Sequence, residues 1–257
     1  MPFDIQSVRT RYPERVICYY PSIDSTMPEA ERLAKAGCGA GTVVVADQQT
    51  AGQGRYGRVW YSAPATGVYV SLVLRPALST ASLPVLMLAL GLATAEAIAR
   101  VSDLACDLRW PNDVLIGDKK VAGILVQLMD RFVIAGIGIN VNQTEFPTEI
   151  ADLATSLQIA SGRTHSREEL VINLLPAVDS FCKMLGAGGE DAILNMFSRR
   201  SSYARGKRVV VEAVDGTIEG TTAGLDPSGF LMIEQDDGTK RLIVAGGVRA
   251  AGTGRGE

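Results

Sequence analysis

The stretch that decides this fold is Arg109-Trp-Pro-Asn-Asp-Val-Leu-Ile-Gly-Asp-Lys-Lys-Val-Ala-Gly-Ile-Leu-Val-Gln127. Two apolar runs flank Gly117-Asp118, a dipeptide typical of hairpin turns because its first residue tolerates a positive φ. The stretch therefore predicts a β-hairpin over residues 114–128. Alternation along the second strand turns the Lys120 side chain inward, beside Asn112 and Asp113.

Two interpretations of this lysine are open from the residues alone. In the first, Lys120 is a compact positive charge held near a reacting anion. In the second, Lys119 and Lys120 are edge lysines that discourage one sheet from pairing with another. The hairpin pattern is compatible with both.

Outward from the hairpin, short β-branched runs alternate with helical patterns. Strands are predicted over residues 16–20, 42–46, 68–74, 123–128 and 132–139, and helices over 28–37, 83–100, 167–185 and 190–197. Near residue 207 the pattern changes from alternating helices and strands to short β runs only. Four such runs cover 208–212, 218–225, 230–234 and 241–244. We therefore expect an α+β catalytic domain with a mixed sheet over residues 1–205, and a docked, SH3-like β barrel over 206–257 with a disordered end at 251–257.

Composition narrows the class of protein. The 257 residues carry a formal charge of -3, which provides no whole-molecule basic field for DNA. The apolar run at 83–95 is shorter than a membrane span, and the N-terminus has no signal-peptide pattern, so a cytoplasmic location is predicted. Four scattered cysteines and a single histidine predict neither a disulfide framework nor a zinc site.

A glycine-arginine loop follows the second predicted strand. Its glycines, Gly52, Gly54 and Gly57, match G-x-G-x-x-G, but a dinucleotide fold needs a helix next and an acidic residue about 20 positions later. Residues 48–95 contain no acidic residue, which excludes the dinucleotide fold. The glycine pattern also resembles that of protein kinases, but the His-Arg-Asp motif that a kinase needs is missing, since His165 is followed by Ser166. The loop is then either an anion site, with Arg55 and Arg58 lacking acidic neighbours in sequence, or a flexible surface loop with solvated arginines.

A third candidate is Gly136-Ile-Gly-Ile-Asn-Val-Asn142, which predicts a buried strand ending in Asn140 and Asn142. Its glycines either admit a ligand or permit close packing.

Taken together, these segments resemble the biotin protein ligases, which attach biotin to a lysine of biotin-dependent carboxylases. The matching pieces occur in the family's order. They are Asp24-Ser-Thr26, Gln49-Thr-Ala-Gly-Gln-Gly-Arg-Tyr-Gly-Arg-Val-Trp60, Trp110-Pro-Asn-Asp113, Lys120-Val-Ala-Gly-Ile-Leu125 and Gly136-Ile-Gly-Ile-Asn140. The resemblance implies the biotin/lipoate ligase fold, which is like that of class II aminoacyl-tRNA synthetases, with an SH3-like C-terminal domain.

The resemblance also implies the reaction. Biotin and ATP, which arrives with Mg²⁺, form biotinyl-AMP, and the lysine of a biotin carboxyl carrier domain then displaces AMP. No prosthetic group and no protein metal site are implied. Lys120 and Arg55 become the catalytic candidates. The implied biotin-binding residues are Ser25, Thr26, Gln49, Gly52, Gln53, Gly54, Arg55, Trp60, Lys120, Gly123 and Ile124. The implied nucleotide-binding residues are Arg55, Arg58, Trp60, Asn112, Asp113, Lys120 and Asn140.

The sequence departs from the family pattern at three places. Gln53 stands where the family usually has arginine, Arg109 stands where lysine is usual, and Val244-Ala-Gly-Gly-Val-Arg249 is a poor copy of the usual ending. A lipoate ligase relative and a non-catalytic biotin-binding regulator are the alternative functions. The catalytic pattern begins near Val16, so we expect a monofunctional ligase without a DNA-binding domain, and a homodimer through the catalytic sheet is compatible with the family.

Overall fold

The computed structural model describes residues 3–75, 80–129, 131–213 and 216–252, and its larger sheet has seven strands. These are β1 (Ile17–Tyr20), β2 (Val43–Ala46), β3 (Gly67–Leu74), β4 (Asp107–Arg109), β5 (Asp113–Ile116), β6 (Lys119–Met129) and β7 (Phe132–Asn140). They lie in the order β1-β2-β3-β7-β6-β5-β4. Strands β1 and β2 are parallel and the other neighbours are antiparallel, so the sheet is mixed, as predicted.

Helices pack against this sheet. They are α1 (Ile5–Arg11), α2 (Thr26–Lys35), α3 (Leu83–Ser102), α4 (Leu157–Ser161), α5 (Arg167–Gly186) and α6 (Glu190–Arg200). Helix α2 begins two residues earlier than predicted because Ser25 is its N-cap, with Oγ accepting from the Met27 N–H at 3.4 Å. The sequence pattern does not predict α1, α4 or β4, because seven, five and three residues are too few to display a period.

Helix α3 lies at the centre of the core. Together with the preceding turn, residues 80–102 are long and apolar enough to cross a membrane, whereas the run identified in the sequence is shorter. Within the protein, however, 67% of the most apolar stretch of this helix is buried. It packs against α5, α6 and the sheet. Burial among these elements accounts for its apolar composition.

The second sheet is antiparallel and has five strands. They are β8 (Arg205–Ala213), β9 (Gly216–Leu225), β10 (Leu231–Glu234), β11 (Lys240–Ile243) and β12 (Gly247–Ala250), in the order β11-β10-β9-β8-β12. This small sheet is the predicted SH3-like unit, with β12 as a strand that the sequence did not reveal. Residues 253–257 of the predicted disordered end lie outside the described residues.

Trp110 joins the two sheets. Its indole Nε1 donates to the Gly229 carbonyl at 2.9 Å, and the side chain is 2% exposed. A Cβ on Gly229 would lie 3.2 Å from Val85 and 3.4 Å from Leu88 of α3, so the barrel turn packs directly on the central helix. The barrel is therefore docked, as predicted, and its residues Glu212 and Gly246 reach the glycine-arginine loop.

Candidate active site

A pocket lies between the β6–β7 surface and the glycine-arginine loop. Eleven of the residues implied by the resemblance line it: Ser25, Thr26, Gln49, Gln53, Gly54, Arg55, Trp60, Asn112, Lys120, Gly123 and Ile124. A larger cavity of about 250 Å³ lies beside it, between α3 and the barrel. Arg55 and Thr80 are the polar side chains among the described lining of that cavity. The groups that can do chemistry therefore meet in the smaller pocket.

Glycines make the floor of the pocket. Gly123 of β6 and Gly138 of β7 are register partners, and a Cβ on Gly138 would lie 2.4 Å from Trp60 Nε1. A Cβ on Gly136 would lie 2.5 Å from Met27 Sδ. Absent side chains let Trp60 and Met27 lie directly on the sheet. The sequence left open whether Gly136 and Gly138 admit a ligand or only permit close packing. Their period-two spacing is the signal that places both on one face of the strand.

One end of the pocket is lined by uncharged polar groups. The Gln49 carbonyl Oε1 accepts from the Thr26 N–H at 2.8 Å and from the Thr26 hydroxyl at 3.1 Å. The Gln49 Nε2 donates to Ser62 Oγ at 2.9 Å. Ser25 and Thr26 are each 3% exposed. Neutral donors and acceptors held this firmly suit a small polar ring better than a charged group.

Lys120 lies at the other end of the pocket, within an ion cluster. Its Nζ lies 2.5 Å from Asp113 Oδ1, and its distance to the centre of the Trp60 ring is 5.3 Å. Arg109 donates to Asp113 Oδ2 from Nη2 at 2.7 Å and from Nε at 3.2 Å. The cluster has two cations for one carboxylate, so it carries a net positive charge. The inward orientation predicted for Lys120 is confirmed, while Lys119 is exposed and donates to the Ala151 carbonyl.

The charges of this cluster determine the pKa of Asp113. Burial alone would raise the pKa of the carboxyl group, because it penalises the charged form. The neighbouring charges of Lys120 and Arg109, together with their hydrogen bonds, outweigh burial and hold the pKa below its usual range. Asp113 is therefore ionised at neutral pH and keeps Lys120 in place.

Asn140 supports Lys120 from behind the pocket. Lys120 pairs through its backbone with the segment at 153–155, from its N–H to the Leu153 carbonyl and from the Thr155 N–H to its carbonyl. Asn140 is 4% exposed, and its Nδ2 donates to the Thr155 carbonyl at 3.0 Å. This differs from the sequence expectation, because the structure does not bring the Asn140 side chain into the pocket. A buried amide next to a loop carbonyl forms this bond rather than pointing at a ligand.

The glycine-arginine loop is closed by its own hydrogen bonds. The Gly54 N–H donates to the Arg58 carbonyl at 2.7 Å, and the Trp60 N–H donates to the Gly52 carbonyl at 2.9 Å. Gly57 has φ of 71°, a conformation that favours glycine at the tip. Gly52 does not line the pocket. A Cβ there would lie 2.5 Å from the Trp60 carbonyl oxygen, so glycine is needed for the loop to close.

Arg55 connects the loop to both domains. Its Nη1 donates to Asn112 Oδ1 at 3.0 Å and to the Gly246 carbonyl of the barrel at 3.4 Å. Asn112 in turn donates from Nδ2 to the Ile124 carbonyl at 2.9 Å. Burial lowers the pKa of Arg55, but an arginine remains charged at any physiological pH. Arg55 is thus a cation at the pocket, fixed between the sheet and the barrel.

Arg58 does not line the pocket. Its side chain is 70% exposed, and Nη2 lies 3.4 Å from Glu212 Oε2 of the barrel. Neither loop arginine has an acidic neighbour in sequence, but the fold gives Arg58 one in space. The partner is 154 residues away along the chain and becomes a neighbour only through docking of the barrel.

Comparison with known proteins assigns the family. Residues 19–143 match the model of the Biotin/lipoate A/B protein ligase family, and residues 205–248 match that of the Biotin protein ligase C terminal domain. The bifunctional ligase/repressor BirA of Bacillus subtilis is 37% identical over 238 residues, which are 89% of this chain and 72% of that protein. A biotin–acetyl-CoA-carboxylase ligase of Mycobacterium tuberculosis is 33% identical, over 85% of this chain and 83% of that one.

The chain belongs to the biotin protein ligase family. Among solved structures, the ligase of Aquifex aeolicus in complex with biotin and ATP matches 92% of this chain and 99% of its own, with a TM-score of 0.83 and 34% identity. The fold and the C-terminal domain of this ligase are therefore those implied by the sequence resemblance. Among the residues that the structure describes, no group of histidine, cysteine and acidic side chains is arranged to hold a metal ion.

Proposed function

We propose that this ligase activates biotin with ATP as biotinyl-AMP and transfers the biotinyl group to a lysine of the biotin carboxyl carrier domain of a carboxylase. In the first step the biotin carboxylate attacks the α-phosphorus, the bond to the β-phosphate breaks, and pyrophosphate leaves. In the second step the carrier lysine attacks the biotinyl carbonyl and AMP leaves. Mg²⁺ enters as part of the ATP substrate.

The polar end of the pocket is the observation that carries this proposal. Gln49 Nε2 has one hydrogen beyond the one given to Ser62, and Thr26 Oγ1 has an unused lone pair, while the Ser25 hydroxyl can donate. A ureido ring has a carbonyl that accepts and N–H groups that donate, so it matches this set. The dithiolane ring of lipoate has no hydrogen-bonding N–H or carbonyl and would leave these buried groups unpaired, at about 1–3 kcal/mol each. The pocket therefore favours biotin over lipoate.

The charged end of the pocket supports the adenylation step. Lys120 lies where the carboxylate and the α-phosphate would meet, and we assign it the stabilisation of charge in the transition state. We assign Arg55, on the loop side of the pocket, the binding of the same carboxylate and α-phosphate. Positioning and charge stabilisation are the chief needs of phosphoryl-group chemistry, and this site has both without a histidine. The cationic pair also speaks against a non-catalytic regulator.

The remaining site residues are assigned by their place around these two ends. Gln53, Gly54, Gly123, Ile124 and Trp60 form the walls of the biotin pocket. Asn112 and Asp113 fix Arg55 and Lys120 on the nucleotide side. Gly52 lets the glycine-arginine loop close, and Asn140 supports the segment at 153–155 that pairs with the backbone of Lys120. Arg58 remains a proposed nucleotide contact, from its exposed position on the loop.

We propose further that two copies of the ligase pair through strand β6. Strand β5 pairs with β6 only as far as Gly123, whereas β7 pairs with it to Met129. In the described part of the chain, Ile124 pairs with Asn112, and the outer edge of β6 beyond Ile124 has no strand partner; Leu128 on it is 46% exposed. An open apolar edge of this kind is a template for strand pairing. Sedimentation at micromolar concentrations, with and without biotin, tests the homodimer.

The other expectations stay predictions. We place the domain division after residue 205, within one residue of the start of β8, because that strand pairs only within the barrel. Action in the cytoplasm, without DNA or a membrane as partner, is expected from composition and charge.

Exchange of labelled pyrophosphate into ATP tests the function. We expect exchange that depends on biotin, and none with lipoate at the same concentration. Exchange with lipoate alone would make the chain a lipoate ligase. Tight biotin binding without any exchange would make it a regulator. Transfer to a purified biotin carboxyl carrier domain, followed by mass spectrometry, tests the second step.

A further inference from the structure

A continuous chain of hydrogen bonds runs through the polar end of the pocket to the loop. Ser71 of β3, which is fully buried, lies 2.8 Å from Thr26 Oγ1. Thr26 contacts Gln49, Gln49 contacts Ser62, and Ser62 Oγ donates to the Trp60 carbonyl at 3.1 Å. Ser62 and Ser71 are the two members that neither the sequence nor the resemblance assigned a role.

The direction of each bond in this chain is determined. The Trp60 carbonyl can only accept, so the single hydroxyl hydrogen of Ser62 points to it, and Ser62 must accept from Gln49. The Gln49 amide therefore has its nitrogen towards Ser62 and its oxygen towards Thr26, where the backbone N–H also requires an acceptor. The Thr26 hydroxyl donates to that oxygen, so Ser71 donates to Thr26. One orientation satisfies all the groups.

Ser62 links this series of hydrogen bonds to the end of the glycine-arginine loop at Trp60. The Trp60 N–H closes the loop onto the Gly52 carbonyl, and a Cβ on Gly52 would lie 2.7 Å from Ser62 Oγ. Ser62 also pairs through its backbone carbonyl with the Gln49 N–H at 3.4 Å. The same hydroxyl thus contacts the amide that faces the biotin ring and the carbonyl that ends the loop carrying Arg55.

We propose that Ser62 is a positioning residue that couples binding of the biotin ring to closure of the Gly52–Trp60 loop around the nucleotide. A ureido N–H that donates to Thr26 Oγ1 strengthens the bond from the Thr26 hydroxyl to Gln49 Oε1 and so polarises the amide. The polarised amide donates more strongly to Ser62, which in turn strengthens the bond from Ser62 to the Trp60 carbonyl. Biotin and ATP then favour the same closed loop, so each ligand raises the affinity for the other. This inference rests on the proposed function.

Thermodynamic coupling between the two ligands tests it. Calorimetry gives the Kd of biotin with and without an ATP analogue whose α–β bridge cannot be cleaved, for the wild type, Ser62→Ala, Ser62→Thr and Thr66→Ala. In the wild type we expect the analogue to lower the Kd about 10-fold or more, within the usual range of coupling, and in Ser62→Ala less than about 3-fold. Ser62→Thr retains the hydroxyl and should retain coupling. Thr66→Ala removes a matched hydroxyl bond, to the Ala63 carbonyl in the same segment, and should leave coupling unchanged.

The outcomes separate this inference from the proposed function. A wild type that binds no biotin contradicts the proposed function itself. Biotin binding with equal coupling in wild type and Ser62→Ala contradicts only the role of Ser62, as does a wild type without any coupling. Thermal unfolding of each unliganded variant shows whether it is folded, and the coupling ratio is insensitive to a uniform loss of pocket affinity.

Discussion

The Lys120 ammonium lies 2.5 Å from Asp113 Oδ1, at a point where both side chains are largely removed from solvent. Arg109 holds the second oxygen of the same carboxylate. This arrangement fixes a cation at the inner end of a pocket whose other end is neutral. Electrostatic stabilisation requires such a charge to be in place before the reaction, because no reorganisation is then needed.

Lys120→Ala should slow formation of biotinyl-AMP roughly 100- to 1000-fold, the usual loss when one such stabilising group is removed. The loss should appear in turnover rather than in the Kd of biotin. Lys119→Ala is the matched control, since Lys119 is exposed and its side chain bonds only a loop carbonyl among the contacts described. Pyrophosphate exchange measures both variants. A Lys120→Ala rate within a few-fold of wild type would restore the interpretation of Lys120 as an edge lysine.

Asp113→Asn should destabilise the fold at neutral pH and do so less at low pH. The pKa of Asp113 is held below its usual range, so its contribution to stability is present above the unfolded pKa of about 4 and is lost as the pH falls through the folded pKa. Removal of the anion leaves Lys120 and Arg109 partly buried together, at a cost of about 3 kcal/mol.

Urea unfolding of wild type and Asp113→Asn at pH 7 and at pH 3 measures this dependence. The difference in the free energy of unfolding should shrink at the lower pH. A difference that is the same at both values would contradict the ionised carboxylate. Arg109→Lys, which restores the residue usual in the family, should remain close to wild type because it keeps the charge.

Arg55→Gly should form biotinyl-AMP but release it faster. Arg55 is the loop cation that lines the pocket, and Gln53 occupies the place where the family usually has another. A charge-assisted hydrogen bond to a phosphate contributes about 1.5–3 kcal/mol, so escape should accelerate roughly 10- to 150-fold. Gln53→Arg should slow release. Single-turnover release of labelled adenylate compares the three proteins, and equal rates would show that Arg55 does not retain the intermediate.

Trp110→Phe should lower the free energy of unfolding by about 1–3 kcal/mol, because the variant leaves the buried Gly229 carbonyl without its donor. Trp60→Phe is the matched comparison. Among the described residues Trp60 Nε1 forms no hydrogen bond, so this variant should lose less stability while it perturbs the pocket wall. Chemical denaturation of both variants is the measurement. Equal losses would mean that the indole bond does not hold the barrel to the sheet.

The local patterns were sufficient for most of the fold and for much of the pocket. Hairpin, strand and helix signals depend on neighbouring residues, and the elements around Gly117, Ser25 and Pro84 formed where those signals predicted. From residue types alone Lys120 and the glycine-arginine loop each had two interpretations, and the pieces of the site could be assigned because their motifs resemble those of the biotin protein ligases. The short elements β4 and α4 could not be predicted, because tertiary contacts rather than local preference hold them.

The sequence by itself determined which residues are available: a lysine on a hairpin strand, a loop with glycines and arginines, and a Ser-Thr pair at a helix start. Only the tertiary structure decided which of them meet. Asn140 donates a hydrogen bond to the Thr155 carbonyl, and Arg58 pairs with Glu212. Ser62 belongs to the series of hydrogen bonds that runs from Ser71 to the Trp60 carbonyl. Each of these depends on a partner at least two residues and as many as 154 away along the chain. Spacing carries no information about such contacts, because distance and hydrogen-bond direction are set by how strands, loop and barrel pack together.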